Sequence, residues 1–299
     1  MRKITDKLIK KFKEYLYEEE KSTATASKYI CDLKKLAKYT GSQELTKKLI
    51  INYKEYLQNS GKYKTGSINS FIVAANCFFK FMGWEDLKVK TIKVQKKTFV
   101  PDNRDLSKEE YKKLVMAAEK AGKIKLAMII QTLCAIGLRI SELASVTVQS
   151  VNSGTVTVYC KGKERQILIP RQLQVKLLYY IHKNQTKNGV VFCTRNGKPI
   201  DRSNIWREMK SLCKEAGVEA EKVFPHNLRH LFAKTFYNTC NDIAKLADIL
   251  GHSSIETTRI YIMTTSREYQ KQLDIMGLSV GNWGMPGKRD KIRHKKITT

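Results

Sequence analysis

Thr155-Val-Thr-Val-Tyr-Cys-Lys-Gly-Lys-Glu-Arg-Gln-Ile-Leu-Ile-Pro170 is the stretch that decides the fold class. Two β-branched runs, 155–160 and 165–170, flank a glycine-containing turn, which is the pattern of a β-hairpin. Apolar residues on both sides of it recur at spacings of three and four, the period of amphipathic helices. The chain therefore reads as mainly α with a small antiparallel β-sheet.

Working outward, four helices are expected before residue 86. Ile4, Leu8, Ile9, Phe12, Tyr15 and Leu16 mark the first, over about 5–20. Ser22-Thr23 caps a second that stops at Gly41; a third spans about 44–60 and a fourth 67–82. The fourth is apolar almost all round, so it is expected in a core. From Trp84 to Asp105 the helical period fails in a Lys-rich stretch with Pro101, read as an extended basic linker. Ser107 and Glu110 then form a capping-box pattern that opens a second helical region. There a short strand is expected at Val190-Val191-Phe192, and helices at about 171–184, 203–216, 226–240, 242–250 and 266–276. The domain division is 1–86 helical, 87–105 linker, 106–280 second domain and 281–299 a flexible basic tail.

Composition narrows the function. The 299 residues hold 56 Lys and Arg against 28 Asp and Glu, a net charge of +28. Self-repulsion on that scale is relieved by a polyanionic partner. The basic residues are dispersed over both halves, which suits a phosphate backbone better than a membrane surface. No apolar run reaches the roughly 18 residues of a membrane span. The start, Met1-Arg2-Lys3-Ile4-Thr5-Asp6, is not a secretory signal, and the seven cysteines stand singly with no C-x-x-C pair. Reduced thiols in a cytoplasmic protein are the expectation.

Three segments of the second domain concentrate reactive side chains. In Gly137-Leu-Arg139-Ile-Ser141-Glu142-Leu143, Gly137 ends one helix and Ser141 begins another. Arg139 there either aims its fork at an anion or pairs with Glu142. In Pro225-His226-Asn-Leu-Arg229-His230, His226 and Arg229 share one face of a helix's first turn. A bound phosphate or simple capping both explain the pair; His230 is assigned to another face and a structural role. In Leu250-Gly251-His252 through Tyr261, His252 falls on a loop, and nothing in the spacing makes Tyr261 special. No metal-ligand spacing and no phosphate-binding glycine loop occur, so no metal and no cofactor are expected.

These residues together resemble the tyrosine recombinases, or lambda-integrase family. The boxes are G-L-R-I-S-E-L at 137–143, K-G-K at 161–163, H-N-L-R-H at 226–230, L-G-H-S-S at 250–254 and T-T-R-I-Y at 257–261. The resemblance implies a two-domain architecture: a SAM-like domain binding core DNA, and a catalytic domain carrying the hairpin. Arg139 and Arg229 would clamp the scissile phosphate and offset its transition-state charge. Tyr261 would be the nucleophile, giving a 3′-phosphotyrosyl link and a free 5′-hydroxyl. His226 would be the general base, and His252 would hydrogen-bond a non-bridging oxygen. Lys161 would protonate the leaving 5′-oxygen and is favoured over Lys163 because it precedes the glycine. Glu142 would orient the site.

The implied partners are double-stranded DNA with inverted-repeat core sites and further copies of this chain in a tetrameric synapse. A separate arm-site-binding module is not expected. Within the family the first expectation is the integrase of a mobile element, the second a Xer-like dimer resolvase. A type IB topoisomerase and a catalytically inactive DNA-binding protein are the remaining readings. The apolar residues Tyr269, Leu273, Ile275 and Met276, after Tyr261, favour a recombinase over the topoisomerase.

Overall fold

A computed structural model describes residues 2–94, 105–160, 163–194, 196–263 and 266–276. The chain divides into two compact units, Met1–Lys96 and Lys97–Thr299. Among the described residues no helix is long and apolar enough to cross a membrane.

The first unit is built from α1 (Asp6–Glu18), α2 (Thr23–Thr40), α3 (Lys47–Asn59) and α4 (Thr65–Phe81). Thr5, Ser22 and Thr46 cap the first three, each side-chain oxygen accepting an otherwise orphaned N–H: Leu8, Thr25 and Leu49. Phe12, Leu16, Leu33, Leu36, Ile50, Ile72, Phe78 and Phe79 form the core. Burying each such side chain contributes about 1.5–3 kcal/mol. On α4 one position of the apolar run, Val73, faces outward. The stretch after Trp84 is not loose at its beginning. Leu87 and Val89 are buried, and Asn76 and Asn69 bond both backbone groups of Val89 and Ile92. The rest of the expected linker, from Gln95 to Arg104, lies outside the described residues.

In the second unit, α5 (Lys108–Lys120) starts at the Ser107–Glu110 capping box, with both reciprocal bonds made. The buried α6 (Ile124–Ala135) follows. Then come a 3-10 turn (Ile140–Ser145) and α7 (Val148–Ser153). Strands β1 (Thr155–Cys160) and β2 (Lys163–Leu168) pair antiparallel, Val158 opposite Arg165. The second strand thus begins two residues earlier than expected. Then follow α8 (Arg171–Lys183), α9 (Arg202–Ser211), α10 (Cys213–Ala216), α11 (Pro225–Cys240), α12 (Ile243–Leu250), α13 (Ile255–Ile262) and α14 (Ser266–Met276).

Three expectations need correction. Val190–Phe192 makes no strand, only an isolated bridge from Thr147 to Val190. Val191 and Phe192 are both buried, so the apolar run reflects burial rather than a ladder. The helix expected over 203–216 is two, because the Leu212 N–H bonds back to Met209 in a tightened turn. Finally, Ser141 begins no helix: the turn starts at Arg139, whose N–H donates to Glu142 Oε2 at 2.9 Å.

Candidate active site

Gly137, in a left-handed conformation at φ +62°, turns the chain out of α6 and frees its carbonyl toward α11. Two residues on, Arg139 is anchored to the buried Glu142, Nη1 donating to Oε1 at 2.8 Å. About a third of the Arg139 side chain, 31%, remains exposed.

Glu142 is the hub of a cationic cluster. Besides Arg139 it accepts both Nη groups of Arg165, at 3.1 and 2.7 Å, and Arg229 Nη1 stands 4.0 Å away. Burial pushes its pKa up, but the donors from Arg165 and from the Arg139 backbone and side chain more than offset this. Its carboxyl sits below the usual range. Three guanidinium groups around one carboxylate leave the cluster strongly positive.

Pro225 fixes the first turn of α11. His226 points its Nε2 at the Tyr261 hydroxyl, 3.3 Å away. Burial, then Arg229 and Arg139, lower its pKa, so the ring is neutral at neutral pH and able to accept a proton. Arg229 is fully buried. Its Nη1 donates to Gly137 O at 2.7 Å and its Nη2 to Leu250 O at 2.5 Å. Its Nε–H has no partner among the described residues. Burial, then Arg139, pull its pKa down to about 10, still charged at neutral pH.

Gly251 ends α12 in a left-handed conformation and sets His252 on the following loop. Arg229 Nη2 lies 3.1 Å from His252 Nε2, and a guanidinium only donates. His252 Nε2 therefore accepts, and the proton resides on Nδ1, which donates to the buried Thr258 Oγ1 at 2.8 Å. Burial, then Arg229, Arg139 and Arg165, lower the His252 pKa to about 4. Tyr261, on α13, is 7% exposed with Arg229 6.0 Å from its ring centroid.

The structure thus brings Arg139, Glu142, His226, Arg229, His252 and Tyr261 together. Lys161 lies outside the described residues. His230 is corrected: four residues after His226, it shares that residue's face of α11. Its ring stacks on Tyr261, centroids 4.3 Å apart and planes at 24°. Burial, then His226, bring its pKa to about 4. Sequence reasoning also missed Arg165. It occupies the inward phase of β2 with the buried Ile167 and Ile169, an alternation that could have exposed it. Among the described residues no three His, Cys, Asp or Glu come together as a metal site would require.

Residues 104–268 match the Phage integrase family, and residues 9–86 match the Phage integrase N-terminal SAM-like domain. Tyrosine recombinase XerA of Pyrococcus furiosus is 30% identical over 280 residues, covering 91% of this chain and 94% of that protein. Tyrosine recombinase XerD of Haemophilus ducreyi is 31% identical over 67% of this chain and 72% of that protein. Among solved structures, a lambda integrase dimer bound to a COC′ core site superposes with a TM-score of 0.69 at 17% identity. It covers 87% of this chain and 78% of that one. The chain belongs to the phage integrase family and is a tyrosine-type site-specific recombinase.

Proposed function

We propose that the protein cuts and rejoins DNA at a core site through Tyr261, without consuming a high-energy cofactor. The observation that carries this is the Tyr261 hydroxyl held 3.3 Å from a neutral His226 beside the Arg139–Glu142–Arg165–Arg229 cluster. His226 takes the phenolic proton as Tyr261 oxygen bonds to phosphorus. The bond from phosphorus to the 5′-oxygen breaks, and Lys161 gives that oxygen a proton. Religation reverses each transfer on a new 5′-hydroxyl, so the phosphodiester energy is kept in the tyrosyl link.

Arg139, partly exposed, is the guanidinium an incoming phosphate meets first. Arg229 adds charge from below, where low dielectric strengthens it. His252, as arranged, holds Arg229 by accepting its N–H; donating to a phosphate oxygen requires a proton on Nε2. The net charge of +28 supports duplex DNA as the partner, and the SAM-like unit is its expected second grip. The exposed Leu273, Ile275 and Met276 on α14 support self-association on DNA.

Between the two biological settings, the match over 94% of XerA favours a Xer-type reaction on a short inverted-repeat site. Integration or excision of a mobile element is the other reading. Fragments of the gene's flanking DNA, placed as direct repeats on one plasmid and as pairs on two plasmids, test both. Recombination between two identical sites supports the first, recombination only between two unlike sites supports the second, and the absence of any recombinant product would overturn the proposal.

A further inference from the structure

Strand β2 places Arg165 on the hairpin face that buries Val156, Val158 and Ile167, in step with the buried Ile169 just past the strand. A buried ion pair on such a face is seldom more stabilising than a well-packed apolar residue, so stability alone accounts poorly for it. Arg165 spends its donors in two directions. Its Nη1 and Nη2 reach both oxygens of Glu142, at 3.1 and 2.7 Å, and its Nε donates to Ile249 O at 3.1 Å. Only 11% of the side chain is exposed.

Each direction ends at a residue of the proposed chemistry. Glu142, held by Arg165, in turn holds the backbone N–H and Nη1 of Arg139. Ile249 opens the turn that leads through Gly251 to His252. That turn is wrapped on the Arg165 side chain. A Cβ built on Gly251 would stand 2.8 Å from Arg165 Cδ and Nη1. A lysine, with one nitrogen, cannot bridge two carboxylate oxygens and a carbonyl at once.

We infer that Arg165 is a positioning residue that aims Arg139 through Glu142 and seats the His252 turn through Ile249, linking the inner strand of the hairpin to the phosphate site. The inference rests on the recombinase reading above. Because Arg165 acts on groups that stabilise non-bridging oxygens, its loss is not repaired by easing departure of the 5′-oxygen.

The test is single-turnover cleavage at saturating DNA, with DNA affinity and melting temperature measured on the same full-length variants. R165K, R165M, E142Q, the double variant R165M/E142Q and Gly251→Asn are compared, with Y261F as reference. Gly251→Asn tolerates the left-handed conformation yet crowds Arg165. Misplacement of a charge-stabilising group by about 1 Å costs on the order of 10²-fold in rate. Losses of that order are expected in R165K and R165M, with affinity kept within about threefold. The double variant should be no slower than its slower parent, Gly251→Asn should be slowed, and a 5′-sulfur-bridged strand should rescue none of them. Independent losses in the double variant, sulfur rescue of R165M, or cleavage by R165K at the wild-type rate would each overturn the inference. If R165M does not fold, R165K and Gly251→Asn decide the matter. Wild-type cleavage by Y261F would instead bring down the recombinase site itself, whatever Arg165 does.

Discussion

His252 sits between a donor and an acceptor that fix its tautomer: Arg229 Nη2 is 3.1 Å from Nε2, and Thr258 Oγ1 is 2.8 Å from Nδ1. Thr258, three residues before Tyr261 and wholly buried, therefore governs which nitrogen of His252 faces Arg229. Thr258→Val keeps the shape but leaves the Nδ1–H without an acceptor, a cost of about 1–3 kcal/mol. Cleavage by Thr258→Val is expected to slow by roughly 10- to 100-fold, with Thr258→Ser near wild type. Wild-type cleavage in Thr258→Val would mean that the tautomer does not matter.

The histidines set a pH dependence. In the proposed mechanism His226 has to be unprotonated to receive the Tyr261 proton, and its pKa lies below the ordinary imidazole value. The cleavage rate should hold at mildly acidic pH and then fall as pH drops through that lowered value. His230 and His252 bear on stability, since their folded pKa values are near 4 against an ordinary 6.5. Between those values the unfolded chain binds more protons than the folded one. Their stability is complete above pH 6.5 and is lost progressively as pH falls toward 4. Urea midpoints across that range should decline, and His230→Asn should flatten the decline.

The identity of the general acid is read by the leaving group. Positioned proton transfer contributes about 10²–10⁴-fold, and a sulfur leaving group needs no proton. Lys161→Ala should be slow on ordinary DNA and largely restored on a 5′-sulfur-bridged strand, whereas Arg139→Ala should not be restored. Restoration of Lys163→Ala instead would move the acid two residues along the hairpin.

Gly137 couples the Arg229 guanidinium to the packing beneath it. A Cβ there would fall 2.5 Å from Phe232 Cδ1, and the backbone stands at φ +62°. Gly137→Ala therefore combines strained backbone with overpacking, about 2–5 kcal/mol together. Thermal unfolding should shift down accordingly, and cleavage should fall as well, because Gly137 O accepts from Arg229. An unchanged melting temperature would contradict this account of Gly137.

What was legible beforehand was local. Caps such as Ser22 and Ser107 depend on neighbours within four residues, so spacing alone reveals them. The clustered boxes carried Arg139, His226, Arg229, His252 and Tyr261. Arg165 escaped because its importance comes from Glu142 and Ile249, 23 and 84 residues away. Only its inward phase on β2 hinted at it. Val190–Phe192 looked like a strand because burial on consecutive positions mimics one. Thr258 and His230 needed the fold itself, since their partners are side chains rather than sequence neighbours.

The central claim is that Tyr261 attacks the phosphorus. A nicked DNA fragment carrying the core site, which traps the covalent complex, is incubated with wild-type protein and with Tyr261→Phe. The adduct is then resolved on denaturing gels beside a mobility-shift titration. Wild type should form an adduct whose DNA-bearing peptide contains Tyr261, and Tyr261→Phe should bind DNA equally well yet form none. An adduct that persists in Tyr261→Phe, attached at another tyrosine such as Tyr237 or Tyr269, would contradict the account.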